Sequence, residues 1–222
     1  MTQESRYKES AFIFWLSYYF FKILVKVFYR GKCYNRDNLP AKGPYVAAIN
    51  HNSLMDIPGM TLAIKQRGAA MAKHTLFDIP ILGWWLWKVG MFPVKRGESD
   101  QASFDFALNA LRKGYVLYIA PEGTRKHEPG SPPRPHTGFI RLAQEAHCPI
   151  VPIALCGTRE ALPPGAKFLH LSKIAVNVGK PIFPEKIKLS MENRNALQQQ
   201  ANEIMQAVYH LRNEIQANRR ER

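Results

Sequence analysis

A short apolar run that leads directly into a polar, histidine-containing segment is the strongest structural constraint in this sequence. Residues 45–49, YVAAI, are typical of a buried strand, and residues 50–56, NHNSLMD, follow without a break. Ser53 is a candidate helix N-cap, and Asp56 completes a variant of the capping box. The pattern therefore predicts a strand, a bend that carries His51 and then a helix, which together form the repeating unit of α/β domains.

His51 and Asp56 are together a candidate general base. Asp56 is expected one helical turn beyond the cap, from where it can reach back to the bend. A carboxylate bound to one imidazole nitrogen fixes the tautomer and stabilises the imidazolium, so the other nitrogen can take a proton from a hydroxyl or an amine. From spacing alone, the alternative is that Asp56 only caps the helix and that His51 is an ordinary loop histidine.

The rest of the chain continues the alternation of strands with helices. Further strands are predicted at residues 69–73, 91–94, 115–119, 150–155 and 173–178, with weak strand character at 31–39, and helices at residues 81–89, 99–113 and 139–146. Residues 126–136 are Pro-rich and predict a loop. The three tryptophans of residues 81–89 fit either a buried core or the headgroup layer of a membrane.

These elements predict a single α/β domain with a mostly parallel or mixed sheet flanked by helices. We place the domain at residues 31–189, after an N-terminal helix at residues 1–30 and before a C-terminal helix and basic tail at residues 190–222. The basic end of that tail, residues 219–222, is interpreted most simply as solvated.

The N-terminal segment, residues 11–29, predicts a helix at a membrane surface. It is apolar or aromatic apart from one serine and two lysines, and as a helix it is about 28 Å long. Its eleven Leu, Ile, Val and Phe residues favour insertion by roughly 5 kcal/mol, which the two central lysines, at about 2.5–3.5 kcal/mol each, roughly cancel. Tyr18, Lys22, Lys26 and Arg30 recur every four residues as one polar stripe, so we expect a helix that lies in the interface. A helix that spans the membrane and a buried core helix are the alternatives.

The charge balance favours an anionic partner. The 31 Lys and Arg against 17 Asp and Glu give a formal net charge of +14, which suits a phospholipid surface, a phosphorylated substrate, an acidic carrier protein or nucleic acid. Three cysteines without a CxxC pair predict a reducing compartment and neither a disulfide nor a zinc site. No cleavage site of small residues follows the N-terminal apolar run, so we do not interpret it as a signal peptide.

Basic residues follow two predicted strands, as His51 does. Lys95 and Arg96 come after the strand at residues 91–94, and Arg125 comes after the strand at residues 115–119. Ligands of α/β sheets usually bind beyond strand ends, and a guanidinium fits a phosphate. Each cation alone can be a surface charge, but a base beside three cations predicts acylation of a hydroxyl next to a phosphate, without need for a metal.

The residues before Arg125 add two features to the predicted phosphate site. Gly123 permits unusual backbone angles or a close approach, and Glu122 is expected to be buried or to face a helix. Thr124 lies between Gly123 and Arg125 in the same segment.

Four sequence blocks, in this order and spacing, resemble those of the glycerolipid acyltransferases. They are NHNSLMD at residues 50–56, FPVKRG at 92–97, PEGTR at 121–125 and IVPIAL at 150–155. The bacterial 1-acyl-sn-glycerol-3-phosphate acyltransferases are the most similar group, and the linking segments KHTLFDIPILGWWLWKVGMFPVKRG and GFIRLAQEAHCPIVPIALCGT resemble them too. The resemblance extends over roughly residues 30–185.

The resemblance implies a reaction and a set of roles. The hydroxyl of 1-acyl-sn-glycerol 3-phosphate would attack an acyl thioester directly to give phosphatidate, without a covalent enzyme intermediate and with no cofactor besides the thioester of acyl-carrier protein or coenzyme A. The residue matching His51 would deprotonate the hydroxyl, and the one matching Asp56 would orient it. The acceptor pocket would comprise Lys95, Arg96 and Arg125, which bind the glycerol phosphate, together with Glu122, Gly123 and Thr124, while Val151 and Pro152 support the acyl side. Ala120 and Lys126 depart from the common Phe and Ser of the family.

Other functions stay open at this stage. A relative that acylates another lysolipid would share the His51 and Asp56 chemistry. A hydrolase would need a nucleophilic serine, and no GxSxG segment is present. A nucleic-acid-binding module would interleave aromatic and basic residues, whereas here the aromatics concentrate in apolar segments, which favours lipid. We expect a peripheral or monotopic enzyme on the cytoplasmic face of the inner membrane, with a phospholipid bilayer and no nucleic acid as partner.

Overall fold

A seven-stranded mixed sheet forms the centre of the protein. The computed structural model describes residues 9–94, 101–124, 133–166, 168–187 and 193–220. The strands are β1 (Lys32–Tyr34), β2 (Tyr45–Ile49), β3 (Gly68–Lys73), β4 (Met91–Val94), β5 (Val116–Ile119), β6 (Ile150–Cys156) and β7 (Ala175–Val178). Their order is β1-β7-β6-β2-β5-β3-β4. Strands β2 to β6 are mutually parallel, β7 is antiparallel to β6, and β1 is parallel to β7, so the predicted mixed α/β sheet is confirmed.

Helices cover both faces of the sheet. They are α1 (Ala11–Phe28), α2 (Asp56–Met60), α3 (Pro80–Lys88), α4 (Gln101–Arg112), α5 (Gly138–Glu145), α6 (Thr158–Ala161) and α7 (Arg194–Arg220), with short 3₁₀ helices at Arg36–Asn38 and His74–Leu76. One core joins α1 and α2 to alternate β2 residues, such as Ala47, and the other joins α4, α5 and α7 to the intervening ones, such as Val46. Strand β2 is apolar throughout because both of its faces are buried.

The start of α2 differs from the predicted cap. The helix begins at Asp56, and the Ser53 hydroxyl accepts a hydrogen bond from the Met55 backbone N–H at 3.1 Å and donates one to the Leu162 carbonyl at 2.7 Å. Asp56 Oδ2 accepts from the Ser53 N–H at 2.9 Å, which is the carboxylate half of the predicted capping box. The side chain of Ser53 therefore attaches the bend to a distant loop instead of capping the helix.

Helix α1 buries part of its predicted polar stripe and exposes an apolar face. Tyr18 is buried and donates to the Thr61 carbonyl at 3.2 Å, and Lys22 Nζ lies 3.4 Å from the Tyr18 hydroxyl. Part of the predicted stripe thus packs inward. The exposed face is largely apolar and carries Phe12, Leu16, Phe20, Ile23 and Val27. None of the helices in the described ranges combines the length and the hydropathy that crossing a membrane requires.

The tryptophans of α3 divide between the two predicted environments. Trp87 packs against the core, with its ring centroid 4.9 Å from that of Phe77. Trp85 donates from Nε1 to the Ser17 hydroxyl at 2.9 Å, which attaches α3 to α1. Trp84 is more than half exposed, so α3 extends the exposed apolar surface that α1 begins.

The C-terminal helix α7 is docked along its length, and its basic end is not simply solvated. Arg219 donates hydrogen bonds to the backbone carbonyls of Cys156 and Lys173. The prediction of a solvated tail is therefore wrong for Arg219, because its guanidinium reaches one carbonyl at the end of β6 and another shortly before β7. Residues 221 and 222 lie outside the described part of the chain.

Candidate active site

The carboxyl ends of β2 and β5 place two of the predicted site segments side by side. The strands are parallel neighbours, His51 follows β2, and Glu122 follows β5. Asn50 fixes the end of β2 to β6: its side-chain amide donates to the Leu155 carbonyl at 2.9 Å, and its side-chain oxygen accepts from the Leu155 N–H at 2.7 Å. The fourth sequence block therefore supports the bend that carries His51.

His51 and Asp56 are in contact, as the spacing predicts. Nδ1 of His51 lies 2.9 Å from Oδ2 of Asp56, whose side chain is 1% exposed while that of His51 is 20% exposed. Oδ2 also accepts hydrogen bonds from the backbone N–H groups of Asn52 at 2.8 Å and Ser53 at 2.9 Å. Because these donors require an acceptor oxygen, Nδ1 of His51 carries its hydrogen and donates it to Asp56. The lone pair of His51 is then on Nε2, which is the arrangement of a general base.

Glu122 connects the histidine bend to the C-terminal helix. Its Oε2 accepts from the His51 backbone N–H at 2.8 Å, and its Oε1 accepts from the Tyr209 hydroxyl at 2.8 Å. Glu122 is buried, as expected from the sequence. The pKa of Tyr209 is raised well above its ordinary value, mainly by burial and secondly by the neighbouring Glu122 carboxylate. This phenol therefore stays protonated and donates.

Tyr209 and Asn50 are site residues whose roles the sequence does not reveal. Tyr209 lies among the apolar residues of α7, which read as an ordinary helix face, and its partner is 87 residues away. Asn50 gives a weak signal, because a polar side chain that ends a fully buried strand needs a hydrogen-bond partner.

Gly123 adopts a backbone conformation that favours glycine. Its φ is +66°, and a Cβ at this position would lie 2.7 Å from Nε2 of His136. The His136 backbone N–H donates to the Pro121 carbonyl at 2.9 Å, so the chain at His136 packs on this turn. Thr124 is half-buried beside it. Glu122, Gly123 and Thr124 are thus adjacent to the histidine bend.

The three predicted phosphate-binding cations, Lys95, Arg96 and Arg125, lie outside the described residues. Lys126 lies outside them too. Their roles stay predictions. The chain reaches them from the ends of β4 and β5, which are on the same side of β2 in the sheet order.

The cysteines are not suited to act as nucleophiles. All three are free thiols, and burial raises the pKa of Cys33, Cys148 and Cys156 to about 11. A thiol of that pKa is almost entirely protonated at neutral pH, and the thiolate is the reactive form. Acylation of an enzyme cysteine is therefore not favoured by this structure.

An apolar pocket opens between α1, α3 and the sheet. Its cavity volume is about 70 Å³, and its lining includes Tyr18, Phe21, Trp85 and Tyr118. Ile57, the residue after Asp56, also lines it. The pocket is therefore both apolar and adjacent to the dyad, which suits a hydrocarbon chain.

The fold and the site define an α/β protein that carries a candidate general base at the carboxyl end of the central strand β2. The family model for Acyltransferase matches residues 30–156, and the chain belongs to that family. A 1-acyl-sn-glycerol-3-phosphate acyltransferase of Bacillus subtilis is 30% identical over 152 residues, which cover 68% of this chain and 73% of that protein.

Two further relatives extend the comparison. A chloroplastic 1-acyl-sn-glycerol-3-phosphate acyltransferase of Brassica napus is 30% identical over 185 residues, 81% of this chain and 53% of the relative, so the chain spans about half the length of that relative. The crystal structure of the 1-acyl-sn-glycerophosphate acyltransferase of Thermotoga maritima matches with a TM-score of 0.62 and 22% identity, over 80% of this chain and 71% of the other. That likeness shows a shared fold.

Proposed function

We propose that this protein transfers an acyl group from a thioester to the free hydroxyl of 1-acyl-sn-glycerol 3-phosphate and so forms phosphatidate. The observation that carries the proposal is the contact of 2.9 Å between His51 Nδ1 and a buried Asp56 that two backbone N–H groups hold in place. The names of the relatives supply the substrate class.

In the proposed reaction, Nε2 of His51 removes the hydroxyl proton while the oxygen attacks the thioester carbonyl. The carboxylate of Asp56 stabilises the imidazolium that forms. The tetrahedral intermediate then collapses, the carbon–sulfur bond breaks, and the departing thiolate takes the proton from Nε2. The products are an ester and a thiol, and the enzyme returns to its starting protonation state without having been acylated.

The acceptor phosphate is proposed to bind Lys95, Arg96 and Arg125, beside the turn formed by Glu122, Gly123 and Thr124. Three cations balance a phosphate monoester without a metal ion. The apolar pocket beside Ile57 gives a hydrocarbon chain of one substrate a place next to the dyad. The donor is proposed to be the thioester of acyl-carrier protein or coenzyme A.

The same proposal places the protein at a membrane. The exposed faces of α1 and α3 carry large apolar side chains, including Phe20, Ile23 and Trp84, and the net charge is +14. An apolar helix face with flanking cations favours a position in the interface of an anionic bilayer. We assign the cytoplasmic face of the inner membrane, with α1 lying in the plane.

The test is product identification. The purified full chain in detergent is incubated with a panel of lysophospholipids and with each thioester, and the products are analysed by mass spectrometry. We expect phosphatidate from lysophosphatidate, and a loss of about 10²–10⁴ in rate for His51→Ala. Acylation of a different lysolipid, release of free fatty acid alone, or a fully active His51→Ala variant would each contradict the proposal.

A further inference from the structure

A basic cavity lies beside β1, β7 and the carboxyl end of β6. An open cavity of about 530 Å³ is lined by Arg30, Lys32, Lys173 and Arg219, with Glu160 as the one carboxylate among its lining residues. The side chain of Arg219 donates hydrogen bonds to the carbonyls of Cys156 and Lys173, which hold it at the side of the cavity.

Sheet topology places this cavity on the other side of His51 from the acceptor blocks. Ala175 at the start of β7 pairs with both Lys32 of β1 and Cys156 at the end of β6. Since β6 is parallel to β2, the end of β6 and His51 lie at the same edge of the sheet. The acceptor blocks follow β4 and β5, whereas the cavity lies at β6, β7 and β1.

Exposed apolar side chains flank the cavity. Phe168, Leu169 and Leu171 are 77%, 52% and 83% exposed, and they immediately precede the cavity residues Ser172 and Lys173. The Ile174 N–H donates to the Tyr29 carbonyl at 3.0 Å, so this loop meets the end of α1, where Phe28 is 60% exposed. Within the described chain, cations thus stand between two exposed apolar segments, which is the pattern that membrane interfaces favour.

We propose that this cavity binds the phosphate of an anionic phospholipid headgroup while the loop at residues 168–171 inserts beside it into the bilayer. The four cations complement the headgroup charge, and the apolar side chains on either side enter the acyl layer. The inference deepens the proposed function, on which it rests, because it fixes a second membrane contact at the edge that carries His51. The lipid site adjoins β6, β7 and β1, whereas the proposed acceptor residues follow β4 and β5 in the chain.

The first test uses a charge-matched pair of double variants in vesicle sedimentation. Lys32→Glu with Lys173→Glu removes two cavity cations, and Lys180→Glu with Lys186→Glu reverses two exposed lysines beyond the carboxyl end of β7, at the opposite edge of the sheet. Both pairs change the net charge equally. With phosphatidylcholine vesicles containing phosphatidylglycerol, we expect the cavity pair to bind at least about tenfold more weakly than the control pair. Equal weakening would show that net charge alone is responsible and would overturn the proposal.

The second test concerns the loop. Phe168→Gln is compared with Phe183→Gln, whose phenylalanine is 72% exposed and follows β7 at the opposite edge. We expect only Phe168→Gln to reduce binding to vesicles. If instead both behave as wild type, the loop does not insert and the proposal is wrong.

Coenzyme A serves as a soluble competitor in the same assay. If it displaces the wild-type protein from vesicles, coenzyme A competes with lipid phosphate for the cavity, as the proposal requires. If the Lys32→Glu, Lys173→Glu variant instead binds vesicles as wild type does but no longer binds coenzyme A, the cavity takes the donor nucleotide and not a lipid, and the proposal is overturned. No acyl transfer is measured in these assays, so a failure of the proposed reaction leaves their result interpretable. Circular dichroism of each variant establishes that it is folded.

Discussion

Replacing Asp56 by asparagine separates the charge of this side chain from its hydrogen bonds. Oδ2 accepts from the Asn52 and Ser53 backbone N–H groups, and these donors require an oxygen. The asparagine amide oxygen therefore takes the position of Oδ2, and the Nδ1–H tautomer of His51 is retained. The effect of the substitution then comes from the lost charge and not from a wrong tautomer.

The magnitude follows from the geometry. Nδ1 and Oδ2 are 2.9 Å apart, so the centres of the two charges are about 4 Å apart. At an effective dielectric constant of about 20 their attraction is about 4 kcal/mol, and losing it as the imidazolium forms slows the reaction about 10³-fold. Oδ1 is buried without a hydrogen-bond partner among the described residues. We expect an amide nitrogen in its place to lower the free energy of unfolding by about 1–3 kcal/mol, which is less than the roughly 5–15 kcal/mol typical of a folded domain, so the variant should fold.

The assay is single-turnover formation of phosphatidate by wild type, Asp56→Asn, His51→Ala and the double variant. Because Asp56 acts through His51, the double variant should be no slower than His51→Ala. If Asp56→Asn slowed the His51→Ala enzyme by a further factor of about 10³, Asp56 would act on the substrate directly and the reasoning would be refuted.

Three further predictions address other parts of the site. Tyr209→Phe removes the hydroxyl that donates to buried Glu122, so we expect the free energy of unfolding in urea to fall by about 1.5–3 kcal/mol. We also expect kcat to fall about tenfold with KM unchanged, because Glu122 positions the His51 bend. An unaffected kcat would show that Tyr209 is only structural. Phe21→Ala enlarges the apolar pocket and should extend activity to longer acyl chains in a graded series of substrates, whereas Phe20→Ala, on the exposed face of the same helix, should leave the chain preference unchanged. A shared effect of both would argue against the pocket as the chain site. Arg125→Ala should raise the KM for lysophosphatidate at least about tenfold and leave the KM for the thioester unchanged, and a selective loss of thioester binding would move Arg125 to the donor site.

Strands at the centre of the sheet could be predicted because both of their faces are buried, so their sequences are continuous apolar runs. Residues 45–49 are fully buried in β2, and the predicted strand at residues 150–155 lies within the fully buried β6. The orientation of α1 could not be predicted in the same way. Periodicity tells which residues share a face, but Tyr18 faces inward because Thr61 offers a carbonyl there, and that partner is 43 residues away.

The same distinction explains which parts of the site the sequence predicts. His51 and Asp56 are five residues apart on one strand–bend–helix unit, so spacing determines their contact before the rest of the chain is considered. Glu122 meets His51 only because β2 and β5 are neighbours, and it meets Tyr209 only because α7 crosses that sheet edge. These contacts depend on sheet order and helix docking, and no local pattern encodes them. A base whose catalytic partner is local but whose support is distant can therefore be recognised from sequence, while the residues that hold it require the fold.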